Sequence, residues 1–226
     1  MLAIIKKEVK SYFLSPIGYV FIGLFLAMCS VFFYLDIIQY HSTNFGYIFY
    51  SGSTILTFII PILTMRMFSE ERKNGTEQLL LTSPRSITSI VLAKFLSATI
   101  IFIISELFTL LYFFILMYFG TPHIQTTLVS LLGFLLLGMS YISFGMFASS
   151  ITENQIIAGV LTIGFFILTW FMPQFYTALS NFSLIYLFDN FPMGVITIES
   201  LVLYASFIVL FILLTILVLQ RRKSVK

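Results

Sequence analysis

Ser69-Glu70-Glu71-Arg72-Lys73-Asn74-Gly75-Thr76-Glu77-Gln78-Leu79-Leu80-Leu81-Thr82-Ser83-Pro84-Arg85 stands between two long apolar runs and is the only long charged segment of the chain. Everything around it is composed to sit in lipid, so this stretch is where a soluble partner can act on the protein. The 226 residues are 59% hydrophobic and 9% charged, against about 45–50% and about 25% in an ordinary soluble domain. Mean hydropathy is +1.05. Such a composition marks a polytopic membrane protein, because apolar runs of about 20 residues match the hydrocarbon thickness of a bilayer.

Six spans are predicted, at 17–38, 52–68, 91–118, 126–150, 156–172 and 200–219, giving an all-α membrane domain that occupies 1–226 as one unit. The second is short, and its helix is expected to continue past the bilayer through Arg66 to a stop at Asn74-Gly75. The third is longer than a bilayer requires, so it is expected to tilt or protrude. Lys6, Lys7 and Lys10 precede the first span without a small-residue cleavage site, which reads as a retained anchor.

All twelve Lys and Arg fall in the N-terminal segment, in and around the 66–94 connection, or in the tail from Arg221. Six spans place those three regions on one side, which the positive-inside rule makes cytoplasmic, with both termini inside. The Ile151-Thr152-Glu153-Asn154-Gln155 connection offers only an acid and does not bear on orientation. A net charge of +3 distributed in this way gives no basis for nucleic-acid binding. The single Cys29 excludes a disulfide framework or a cysteine zinc site.

Residues 1–14 read as an interfacial helix. Leu2, Ile5, Val9, Tyr12 and Phe13 share one face, and Lys6, Lys7 and Lys10 share another, as for a helix with its apolar side in the acyl boundary and its lysines toward anionic lipid headgroups. A frayed cytoplasmic end is the alternative. Ser15-Pro16 then ends the helix. Residues 69–85 read as two short helices around Gly75, with Thr76 capping Glu77 to Leu81 and Pro84 stopping the second helix. Their mixture of leucines and charges suits docking into a groove of another protein. The alternative is a loop packed on its own bundle.

The run EERKNGTEQLLLTSPRS at 70–86 resembles the cytoplasmic signature of ABC-2 type transporter permeases. Phe188-Asp189-Asn190-Phe191-Pro192-Met193-Gly194-Val195-Ile196 is similar to a pattern of the branch holding gliding-motility and nitrous-oxide-reductase-accessory permeases, and Ser15-Pro16-Ile17-Gly18-Tyr19-Val20-Phe21 looks like the same branch. This resemblance implies a transmembrane half of an ATP-binding-cassette exporter in a bacterial cytoplasmic membrane. The N-terminal helix would be an interfacial gate. Residues 69–85 would supply the coupling helix, with Glu70, Glu71, Arg72, Gly75, Thr76, Glu77 and Leu80 in contact with an ATPase subunit and Thr82 and Pro84 shaping its end. It also implies a second permease, identical or related, and short re-entrant helices within 173–195.

The chain carries no Gly-x-x-x-x-Gly-Lys-Ser/Thr phosphate loop, so it is read as no enzyme. ATP and Mg are expected on the partner ATPase and no cofactor on this chain. His41 and His123 stand alone, with no metal-binding pattern around them. Glu106 is the one ionisable side chain deep in a span, twelve residues after Lys94 and so about 18 Å further along a helix. It lies either on the substrate path, or in a proton-sensitive contact, or in a hydrogen bond that locks Ser105 or a neighbouring helix. Gly138, Gly145 and Ser149 are read as allowing close helix packing. An ATP-independent carrier or channel of six spans, or a membrane anchor for a soluble complex, is compatible with the same spans.

Overall fold

The computed structural model describes residues 1–39, 44–81, 85–175 and 182–225. Its regular structure is helical throughout: α1 (Leu2–Leu14), α2 (Pro16–Phe32), which runs on into a π-helical stretch (Phe33–Gln39), α3 (Gly46–Thr64), α4 (Ser69–Lys73), α5 (Glu77–Leu81), α6 (Ile87–Phe119), α7 (Ile124–Ile151), α8 (Gln155–Phe175), α9 (Leu184–Phe188), a 3-10 turn (Phe191–Met193) and α10 (Ile198–Val225). Six of these are long and apolar enough to cross a membrane, over Pro16–Gln39, Gly46–Lys73, Ile87–Tyr118, Ile124–Ile151, Gln155–Gln174 and Ile198–Lys223. The protein is an all-α polytopic membrane protein.

Both ends of the second span differ from the sequence expectation for physical reasons. α3 begins at Gly46, ahead of residue 52, because the Asn44 side chain accepts from Gly46 N and donates to Pro192 O, anchoring the helix start. Its far end does not continue unbroken past Arg66. A turn at 65–68 intervenes before α4, and Ser149 of α7 accepts from both Phe68 N and Ser69 N while donating to Met65 O. One hydroxyl thus satisfies the backbone groups that a continuous helix would have paired internally.

α7 is the central helix and packs on α3, α6, α8 and α10. Its small residues are what permit this. A Cβ on Gly138 would lie 2.2 Å from the Phe102 ring, and one on Gly145 would lie 2.2 Å from Thr64 Oγ1. The packing reading of both glycines is therefore met by particular neighbours. Phe134 of α7 is fully buried, with ring centroids 4.9 Å from Phe49, 5.7 Å from Phe102 and 6.0 Å from Phe25 and Phe188. Much of the aromatic load is thus helix-to-helix packing among α2, α3, α6, α7 and α9. Large apolar side chains on α6, α8 and α10, such as Leu111, Phe114, Leu168 and Leu213, face outward.

Between the last two spans, α9 and the 3-10 turn pack into one end of the bundle. Their carbonyls are taken up by side chains: Tyr204 donates to Leu184 O, Ser130 to Phe191 O and Asn44 to Pro192 O. Gly194 closes the turn at φ +79°. Ser180 and Asn181, part of the predicted short helices, lie outside the described residues, as does His41.

Candidate functional site

At the other end of the bundle, α1, α4, α5, the α7–α8 connection and the end of α10 converge. Gly75 separates α4 from α5 at φ +72°, a left-handed geometry that side-chain-bearing residues rarely take. Asn74 N donates to Glu70 O and Gly75 N to Arg72 O, which closes the end of α4. The Thr76 hydroxyl donates back to Glu71 O at 3.1 Å, stitching the turn.

Lys94 is the hub of the first flank. It lies two turns inside α6, which at 33 residues is about 50 Å long and exceeds the apolar slab. Its ammonium is 2.9 Å from Glu71 Oε1 and 3.2 Å from Glu8 Oε2, with the Phe68 ring at 5.3 Å. The Lys94 side chain is only 4% exposed. A buried ammonium needs such partners, since desolvation alone costs several kcal/mol. Alongside it, Arg66 stands 5.1 Å over the Tyr12 ring, donates to Ser15 Oγ and pairs with Glu70 at 3.9 Å. The Tyr12 hydroxyl donates to Leu63 O at 3.1 Å, and burial, only partly opposed by Arg66, holds this phenol well above its usual pKa. It is a neutral donor throughout the physiological range.

These contacts revise the picture of α1. Tyr12 is buried and Val9 and Phe13 pack against the core, so much of its apolar face lies on the bundle rather than in the acyl boundary. Lys6, Lys7 and Lys10 are exposed. Between α1 and the 66–79 region runs an open cleft of about 580 Å³ lined by Glu8, Arg66, Glu70, Glu71, Thr76 and Lys94.

The second flank uses arginines. Arg72 is 2.7 Å from Glu153 and donates to Ile151 O, and Arg222 is 3.0 Å from Glu77 and donates to the same Ile151 carbonyl. Of the candidate residues, then, Glu71, Arg72 and Glu77 turn inward into ion pairs of this chain. Glu70 is half-exposed, and Gly75 and Thr76 lie on the surface with Lys73, Asn74, Gln78 and Leu79, the last 75% exposed. Leu80 lies on α5, and Thr82 and Pro84 lie outside the described residues.

Sequence reasoning missed Glu8, Glu153 and Arg222 as partners. The available signals were an acid beside the apolar stripe of α1, one turn before Tyr12, and a lysine at 94 flanked by Val91, Leu92, Ala93, Phe95 and Leu96. Glu106, in mid-α6, is 6% exposed and its Oε1 is buried with no hydrogen-bond partner among the described residues. Ser105 is not locked to it, since that hydroxyl donates to Ile101 O.

Six candidate spans on an aromatic core, with a charged cap of short helices at one end, define an all-α polytopic membrane protein. Residues 2–223 match the family model described as ABC-2 family transporter protein, and the chain belongs to that family. Membership implies partnership with an ATPase subunit. No curated protein matches the chain.

Proposed function

We propose that this chain is the transmembrane half of an ATP-driven exporter of a bacterial cytoplasmic membrane, with both termini in the cytoplasm. It pairs with a second permease, identical or related, and with ABC ATPase subunits that carry ATP and Mg. The observation that supports this reading best is the 69–81 cap. It presents Leu79 and Gln78 outward while Glu71, Arg72 and Glu77 bind it to α6, α7 and α10. An apolar centre with a polar rim suits a docking surface, and a cap tied inward by ion pairs passes its displacement to the spans.

In this account the partner seats on Leu79 and the 74–78 surface, and the inward-facing charges position that surface. Lys94 then carries motion of α4 to α1, whose exposed lysines rest against anionic lipid headgroups. Glu106 is the side chain to test on the substrate path. Kinship with the gliding-motility and nitrous-oxide-reductase-accessory branch rests on the 188–196 and 15–21 stretches and belongs to the same proposal.

Photo-crosslinking in native membranes tests it. A benzophenone amino acid at position 79 is expected to capture an ABC ATPase, and the same probe at position 213, on the outward face of α10, is expected to capture none. Capture of no ATPase at 79, or of a different soluble protein alone, would favour the carrier or anchor readings.

A further inference from the structure

Arg222 lies 145 residues from Glu77 in sequence, yet its guanidinium holds two elements together. Nη1 donates to Glu77 Oε1 at 3.0 Å, and Nη2 donates to Ile151 O at 3.3 Å. Arg72 repeats the arrangement from the opposite side, with Nη2 2.7 Å from Glu153 Oε1 and Nη1 3.0 Å from Ile151 O. Ile151 is the last residue of α7. The final carbonyls of a helix lack internal donors and form the negative end of its dipole, so they attract cations. Arg72 and Arg222, with Glu153 and Glu77, therefore form a cluster of ion pairs on the end of the central helix.

The position of Gly75 gives this cluster mechanical meaning. α5 joins α4 through a residue at φ +72°, with nothing within 4 Å of where a Cβ would stand. Glu77–Arg222 is an ion pair that ties α5 to a span, and it lies beyond that joint. Charge placement alone would accept any cation in the tail. A planar guanidinium presents its donors in a rigid fork to the carboxylate and the carbonyl, whereas a lysine ammonium is a point charge on a flexible stem.

Building on the coupling reading above, we infer that Arg222 is a positioning residue that locks α5 to the ends of α7 and α10, so that a displacement of the coupling segment reaches the last span directly and bypasses the Gly75 joint. The role belongs to the permease side of the interface, because Arg222 faces Glu77 and Ile151.

The test uses the whole permease co-purified with its ATPase from the native host and placed in lipid nanodiscs. Two quantities are read, ATPase retained per permease and ATP turnover. The natural chain decides the coupling reading by itself: if it retains no ATPase, that reading fails and this inference fails with it. Given retention, Arg222→Glu is expected to keep bound ATPase within about two-fold while turnover falls about five-fold or more. Glu77→Arg with Arg222→Glu is expected to recover only part of the turnover, because it restores the ion pair and not the donation to Ile151 O. Glu77→Cys with Arg222→Cys, in a Cys29→Ala background, is expected to be slow, to be restored by a short bis-thiol-reactive bridge, and to slow again when reductant releases the bridge. That reversible arm separates transmission from misfolding. Unchanged turnover in Arg222→Glu, or losses that neither the charge swap nor the bridge recovers, would overturn the inference.

Discussion

Lys94 Nζ lies 2.9 Å from Glu71 Oε1 and, on its other side, 3.2 Å from Glu8. The side chain that joins α1 to the 69–81 cap therefore belongs to neither, being carried on the protruding start of α6. Removing the ammonium leaves two shielded carboxylates facing each other. Lys94→Met is expected to destabilise the protein by about 2–3 kcal/mol, less than a wholly buried broken pair because Glu8 and Glu71 keep some access to solvent. Adding Glu8→Gln and Glu71→Gln should return most of that loss. Denaturant titration of the three proteins in detergent micelles checks this, and a triple variant no better than the single one would contradict it.

Ser149 is a second expected point of weakness. Ser149→Ala strips the acceptor from Phe68 N and Ser69 N, at a cost of about 1–3 kcal/mol for groups left unpaired in a buried setting. Hydrogen exchange should rise at residues 65–70 and remain unchanged in α8. Faster exchange spread evenly over the bundle would mean that Ser149 acts only through general packing.

Glu106 has a buried oxygen with no hydrogen-bond partner among the described residues, so an uncharged side chain of the same shape should fit at least as well. Glu106→Gln is expected to leave the thermal midpoint unchanged or raised, whereas Glu106→Lys, which imposes a charge costing about 2.5–3.5 kcal/mol on insertion scales, should lower the yield of folded protein. A marked fall in stability with Gln would reveal a structural ion contact. Loss of transport with intact stability would place the carboxyl on the substrate path.

Much of the architecture could be read from apolar run lengths, because a bilayer imposes them. The ends of the spans were less legible. Tyr47, Tyr50 and Ser51 look like loop residues, yet they form the first turns of α3 once Asn44 anchors the helix to Pro192. The site was legible in part. Gly75 and the charged run announced a cap, but its inward ties involve Glu8, Glu153 and Arg222, which the chain brings together only through folding. The 151–155 connection looked uninformative and in fact supplies both Glu153 and the Ile151 carbonyl. Charge patterning shows on which side residues lie and says nothing of whom they meet.

Orientation is checked by labelling. In a Cys29→Ala background, Lys223→Cys should be protected from an impermeant maleimide in intact cells and His123→Cys should react, because these positions lie at opposite ends of the bundle. The reverse pattern would invert the topology and remove α4 and α5 from the cytoplasm.

The most direct measurement is the ATPase that co-purifies with the natural chain from its own host in mild detergent, beside Leu79→Asp. The account predicts about one ATPase per permease with the natural chain and about thirty-fold weaker retention in the variant, the loss expected for a hot-spot residue of about 2 kcal/mol. No ATPase with the natural chain, or equal retention by both proteins, would contradict the claim that this cap is where the permease is driven.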